Sequence, residues 1–425
     1  MLIYSKKFLK QFNVYKEEKI DDFIKFPAVD DRSHTMANAI DEFCFQKLPI
    51  IVLKDYLERG YSLDILGVFP EIFKLYFYKF NYKNIVEIGF NYNPRVKFYN
   101  YVRPLFFVGN NNENEKKIIV SIPPGEDYLK HYTSILRHLI NKLRMDEKTI
   151  KIFRFPLHEK NITEWTGLNN NFVKRNDIVI LGYTEEIENN LNNKMTLESE
   201  HYNEFYGSRR YKLNGKIINF LGVKYSYWGN MSKNITNKLL FLGATEIIYS
   251  AKLGTLVNYN DIYNKIYSPI EYIVLDYTRI KHKKFKLKNN FVKLFPEFNS
   301  GLHCSVPTIL EQNYRFRDIV TNLSINSIDN EISQMAEVVY EHNRKNNSDI
   351  SFFAVHFPTD YVRKYDEKNL DTKFDLSNNR LPLSSSKKRK IINEISNYLH
   401  YYLVSYTDLS INNSKIKSEI IPSRV

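Results

Sequence analysis

Apolar and polar positions alternate along this chain in two distinct blocks. Residues 1 to about 80 carry apolar residues at mainly helical spacing, ending in the aromatic-dense run Phe73–Phe80. Strand-like runs follow at Ile85–Ile88 and Leu105–Val108, and the polar stretch Gly109–Glu115 reads as a loop. A third run, Lys117–Ile122, is closed by Pro123 and Pro124; Tyr128–Leu143 has helical spacing, and Ile150–Phe155 suits another strand. Strands that alternate with helices predict an α/β domain. The mostly polar segment Asn169–Asn176 then separates the halves, predicting an N-terminal α/β domain over 1–170 and a second domain over 175–410.

The second block opens on the short apolar strand Ile178–Leu181, then Gly182 and an acidic helix start, Glu185–Asn189. Tyr211–Leu213 and Ile217–Leu221 flank Asn214-Gly215, a hairpin signal, because both central residues of a tight hairpin turn need positive φ. Helices are predicted at Ser232–Leu242, Ile328–Tyr340 and Ile391–Val404, and strands at Thr245–Ser250, Ile270–Leu275 and Ile350–Val355. The Ser/Lys-rich stretch Leu381–Lys390 reads as a loop. The fold class is therefore α/β: a mixed β-sheet flanked by helices, preceded by a smaller α/β domain.

Composition changes this picture little. The 425 residues are ample for two cores, and 26% charged residues is ordinary for a globular protein. There is no run of eighteen apolar residues, and Lys6, Lys7 and Lys10 interrupt the first apolar stretch, so neither a membrane span nor a signal peptide is expected and a cytoplasmic setting is. Two distant cysteines, Cys44 and Cys304, give no disulfide framework and no metal-ligand spacing. The net charge of +13 raises nucleic acid as a partner. The basic runs, Lys281–Lys288 and Lys387–Lys390, sit between apolar segments as solvated stretches do, so nucleic acid is not expected, and attraction of small anionic substrates is the alternative use of the charge.

Five segments, taken in order, resemble the superfamily of nucleoside phosphorylases and methylthioadenosine/S-adenosylhomocysteine nucleosidases. They are Ile178-Val-Ile-Leu-Gly182-Tyr-Thr-Glu-Glu186, the hairpin Tyr211–Gly215, Gly229–Gly243, the strand end Ile247–Leu256, and Ser327-Ile-Asp-Asn-Glu331 followed by Phe353-Ala-Val-His-Phe-Pro-Thr-Asp360. The resemblance implies hydrolysis of the N-glycosidic bond of a purine nucleoside or a 5′-thioadenosine-type substrate, with no cofactor and no metal. A homo-oligomer is compatible with it. It implies that Asp360 protonates the leaving base, that Glu331 and the preceding Asn330 hold the ribose, that Ile309 in Cys304–Leu310 stacks on the base, and that Glu186 activates water.

The sequence departs from the family at three of these points. Without gaps, the water-activating glutamate falls opposite Ile187; Asn330 stands where methionine is usual; and Lys252 and Leu253 occupy a small-residue strand end. The first turn has glutamates and no arginine, which disfavours phosphate and points to hydrolysis. Phosphorolysis, and a nucleoside- or nucleotide-binding module without turnover, remain the alternative readings. In the first half, Lys83–Arg95 faintly resembles the first motif of S-adenosylmethionine-binding Rossmann domains, with the single glycine Gly89, while its residues read more readily as a buried strand and a polar turn.

Overall fold

A computed structural model of the chain describes residues 16–24, 28–37, 39–69, 77, 81–89, 103–111, 115–154, 162–275, 283–376 and 382–405. The strands of the first half are β1 (Lys16–Glu18), β2 (Ser62–Gly67), β3 (Lys83–Glu87), β4 (Leu105–Asn110), β5 (Lys116–Ile122) and β6 (Ile150–Arg154). Those of the second are β7 (Ile178–Gly182), β8 (Thr196–Tyr202), β9 (Tyr206–Leu213), β10 (Lys216–Val223), β11 (Glu246–Ser250), β12 (Lys252–Thr255), β13 (Glu271–Val274), β14 (Lys283–Lys286), β15 (Leu302–Ser305), β16 (Ile325–Asp329), β17 (Ser351–Ala354) and β18 (Phe357–Tyr361). Among the described residues they form three six-stranded sheets, which with their flanking helices make a mixed α/β protein.

The first sheet runs β1-β6-β2-β5-β4-β3. Its centre, β6-β2-β5, is parallel, and the outer pairings are antiparallel. Pro123 and Pro124 end β5, and the helix Glu126–Lys142 then buries Leu129, Ile135, Leu136 and Leu139 against the sheet. The predicted helical character of residues 1–80 is only partly realised. Helices cover Ile20–Phe23, Ala39–Phe45 and Ile50–Glu58, but β2 is a central strand. The pattern hides β2 because Asp64 breaks its apolar run; that buried carboxyl accepts from Tyr82 and lies 3.9 Å from Lys117. Phe73–Phe80 lies outside the described residues except for Phe77. β3 is an antiparallel, mostly exposed edge strand. The first strand of a Rossmann motif is parallel and buried, so that resemblance does not extend to the structure.

In the second half one sheet runs β17-β11-β7-β10-β9-β8 and the other β14-β13-β15-β16-β12-β18. The β9–β10 hairpin turns on Asn214 (φ 48°) and Gly215 (φ 79°), as its sequence requires. The predicted helix Ile328–Tyr340 is instead β16 followed by the helix Ile332–Asn346, because the Asp329 carboxylate accepts from Ile332 N and caps the helix there. The stretch Leu381–Lys390 is not a loop: Pro382–Ser405 is one helix. Its basic first turns lie towards solvent, and Ile391, Ile392, Ile395, Leu399 and Tyr402 are buried at helical spacing.

Two chain segments pass from one sheet to the other. β11 runs into β12 through Ala251, and β17 into β18 through Val355 and His356; β11 pairs in parallel with β17, and β12 with β18. Each half has its own apolar core, yet Phe69 packs into the second core and Leu310 into the first. Ile162, Leu168, Phe172 and Val173 also belong to the second core. Cys44 and Cys304 are buried and unbridged. Among the described residues, no helix is long and apolar enough to cross a membrane.

Candidate active site

A cavity of about 440 Å³ opens where the two strands change sheets and where the halves meet. Crevices beyond strand ends, at points where topology changes, commonly take ligands in α/β folds. One wall begins at the end of β7. Gly182 has φ 92°, and a Cβ there would stand 1.9 Å from the Ser250 carbonyl oxygen, so only glycine lets β7 and β11 close on each other. Tyr183 N donates to that same carbonyl at 2.8 Å, and its ring stacks on Phe357.

The floor comes from β12 and β18. Gly254 pairs with Asp360 across a local irregularity in the register, and a Cβ at 254 would lie 2.9 Å from Asp360 Oδ2. The missing side chain makes room for the carboxyl. Thr359 Oγ1 donates to Asp360 Oδ1 at 3.0 Å. Burial raises the Asp360 pKa to about 6; the Thr359 hydrogen bond and the charge of Lys252 resist the shift. The carboxyl thus exchanges its proton near neutrality, which a general acid needs.

The third part is the turn from β16 into the helix Ile332–Asn346. Asp329 accepts from Ser305 Oγ (2.5 Å) and Ile332 N (3.0 Å) and lies 2.8 Å from His303 Nε2. Burial opposes its charge, but His303 and Ser305 hold its pKa below the ordinary aspartate value. Glu331, two residues on, responds in the opposite sense. Burial pushes its pKa well up, the Asp329 charge adds to that, and Lys252 counters it. Asn330 lines the cavity while its amide donates to Val306 O at 2.6 Å, and its carbonyl accepts from Gly229 N at 2.9 Å. Tyr227 and Tyr249 line the cavity with ring centroids 6.0 Å apart.

The cavity therefore brings Asp360, Glu331, Asn330 and Ile309 together. Ile309 stands on a short turn capped by Thr308 Oγ1, which accepts from Leu310 N at 3.2 Å; its carbonyl lies 3.0 Å from His34 Nε2. Glu186 is not among the lining residues. It sits on the helix Thr184–Leu191, and that turn offers Gly182 and Tyr183 to the cavity instead. Glu188 is turned away too, bonded to Arg209 (3.1 Å) and Tyr211 (2.6 Å).

No family model matches the chain. It is 30% identical over 382 residues to a curated protein of Cordyceps militaris named oxidoreductase cns1. That alignment takes in 84% of this chain and 47% of the relative, so the chain spans about half the length of the curated protein it matches. Its structure is similar to a Helicobacter pylori 5′-methylthioadenosine/S-adenosyl homocysteine nucleosidase, at 14% identity and a TM-score of 0.39, over 54% of this chain and 98% of that one. An Arabidopsis thaliana 5′-methylthioadenosine nucleosidase gives 13% identity and a TM-score of 0.37 over 53% and 97%.

Several lining residues lie outside the motifs quoted from the sequence. Phe43, Gln46, Lys47, Tyr128 and Tyr132 come from the first half, and Trp228 packs on Tyr128 with centroids 5.3 Å apart. The only local sign of them is the aromatic run Tyr225-Ser-Tyr-Trp-Gly229. The first-half residues come from two separate helical regions, and only tertiary packing brings them to the cavity.

Proposed function

We propose that the cavity binds a purine nucleoside or a 5′-thioadenosine-type compound and that the protein hydrolyses its N-glycosidic bond. The observation that carries this reading is one cavity holding Asp360, with a pKa near 6, together with Glu331 at a helix start. Breaking the C1′–N9 bond leaves electrons on the base and positive charge on the ribose. Asp360 gives its proton to N7, so the base departs neutral. Water adds its oxygen to C1′ and loses a proton, which restores the Asp360 acid. Glu331, once ionised, accepts from the ribose hydroxyls and steadies the cationic sugar. Asn330 braces the same turn, and Ile309 offers an apolar face to the base.

Glu186 has no place in this scheme with the helix Thr184–Leu191 as it stands. That observation favours a second reading, in which the site binds a nucleoside without turning it over. Incubation with a panel of nucleosides, with and without phosphate, separates the two. Release of free base without phosphate supports hydrolysis; binding of a nucleoside with no base released from any of them supports the second reading.

A further inference from the structure

The turn that carries Ile309 is too short to hold itself. Ile309–Glu311 is a three-residue 3₁₀ turn between β15 and the helix Tyr314–Asn322. Within it, Leu310 N donates to Thr308 Oγ1 at 3.2 Å and Gln312 N to Ile309 O at 3.0 Å. Hydrogen bonds of 3₁₀ geometry are poorly aligned, so a turn of this length takes its position from what packs on it. The second half anchors the chain on either side: Val306 N donates to Asp329 O at 2.8 Å, and Asn313 Oδ1 accepts from Phe316 N at 2.8 Å to cap the helix. Between these anchors the first half takes hold. Leu310 is buried in the first core, Thr35 N donates to Gln312 O at 2.9 Å, and just beyond the turn Tyr314 N donates to Ser33 O at 2.9 Å.

Two buried histidines of the first half bond to the same turn. His34 Nδ1 accepts from Met36 N at 3.1 Å, so it is the bare nitrogen of its ring; Nε2 carries the proton and donates to Ile309 O at 3.0 Å. In His131, on the helix Glu126–Lys142, the nitrogens exchange parts. Lys47 Nζ, which can only donate, lies 3.1 Å from Nε2, so Nδ1 carries the proton and donates to Thr308 Oγ1 at 2.8 Å. Burial keeps both rings neutral, bringing His34 down to about 4 and His131 well below the ordinary histidine range. Each ring has one N–H to give, and each gives it to the turn. Neither ring lines the cavity.

We propose that the first half is a brace for the base-facing turn, with His34 and His131 as positioning residues that hold Ile309 in place for the base without touching the substrate themselves. This rests on the nucleoside reading above and gives the first half a part in base selection. Affinity scales with the fraction of molecules whose turn is in place. The test changes which nitrogen of each ring is imitated. Asparagine reproduces the Nδ1 position and glutamine the Nε2 position, so the double variant His34→Asn/His131→Gln withdraws both donors from the turn, and His34→Gln/His131→Asn keeps both. Calorimetric titration of the full chain with adenosine, uridine and 2′-deoxyadenosine gives two ratios, adenosine to uridine for the base and adenosine to 2′-deoxyadenosine for the sugar. Withdrawing both donors should cut the base ratio by about tenfold, as two neutral hydrogen bonds are together worth. Keeping them should preserve most of it, and the sugar ratio should hold in both variants. Thermal melts check folding; where a double variant does not fold, Thr308→Val, which removes the hydroxyl that accepts from His131 and leaves the first half intact, should lower the base ratio in the same direction. If the two double variants behave alike, if both ratios fall together, or if wild type binds adenosine and uridine equally, the brace is refuted and the nucleoside reading stands on adenosine binding. If none of the three nucleosides binds, the nucleoside reading fails and takes the brace's part in base selection with it.

Discussion

Replacing Asp360 by asparagine keeps the shape of the side chain and removes its ability to ionise. In the folded protein its pKa is about 6, against 3.8 for an unburied aspartate. The sign follows from linkage. A carboxyl with a raised folded pKa costs nothing while both states are protonated, and it lowers stability as pH climbs from about 4 through about 6. Two pKa units at ~1.4 kcal/mol each amount to about 3 kcal/mol above pH 6. The asparagine side chain carries no such cost, so Asp360→Asn should be the more stable protein at pH 8, by up to about 3 kcal/mol, and the gap should close towards pH 4. With unfolding entropy near 2.1 cal/mol/K per residue, a chain of 425 residues should gain about 3 °C in Tm. Base release should move the other way, falling by about a hundred- to ten-thousand-fold as the acid is lost. Wild-type base release should itself decline as pH rises through about 6. Parallel melts from pH 4 to 8, with base release assayed on the same preparations, provide both readings. A variant no more stable than wild type at pH 8, or a gap indifferent to pH, would refute the burial argument; full activity in the variant would remove Asp360 from the chemistry.

Wild-type affinity for a nucleoside should climb with pH as Glu331 ionises, and Glu331→Gln should abolish that climb and cost roughly 1.5–3 kcal/mol at its top, measured by calorimetry. Gly182→Ala meets both a left-handed φ and the Ser250 carbonyl, so it should cost more than about 3 kcal/mol in urea unfolding. Gly215→Ala, with a similar φ but open surroundings, should cost only about 1. For the division between halves, we propose a break before Ile162 rather than at Asn169–Asn176. A fragment starting at Lys174 lacks Ile162, Leu168, Phe172 and Val173, and at ~1.5–3 kcal/mol per buried side chain it should be less stable than one starting at Ile162 by about 6 kcal/mol or more. Equal urea midpoints would restore the later break.

The second half was the more legible in sequence, because its strands are short apolar runs with punctuation that has a mechanism. Asn214-Gly215 names its own turn, and Gly182 sits where no side chain fits. The boundary of the helix after β16 was misplaced because apolar spacing alone does not register a cap; Asp329 ends the strand by bonding to the helix it starts. The Ser/Lys-rich stretch concealed a helix, since its basic residues need only face water while the apolar stripe begins at Ile391. Asp360 and Glu331 could be singled out because each ends a segment that resembles a motif of the nucleoside phosphorylase and nucleosidase superfamily. Lys47, Tyr128 and Trp228 could not, because their meeting depends on how two cores lie against each other, and no spacing along the chain encodes that distance.

The crossing of Ala251 and of Val355–His356 between sheets has a consequence for how the molecule breathes. Each of those segments is anchored at both ends in hydrogen-bonded ladders, so neither sheet can fray at this seam without pulling on its neighbour. Amide protons of β11, β12, β17 and β18 should therefore exchange with solvent as one cooperative unit, more slowly than those of the exposed edge strand β8. Slow exchange there would place the polar floor of the cavity, with Lys252 on β12 and Asp360 on β18, in a part of the fold that resists opening.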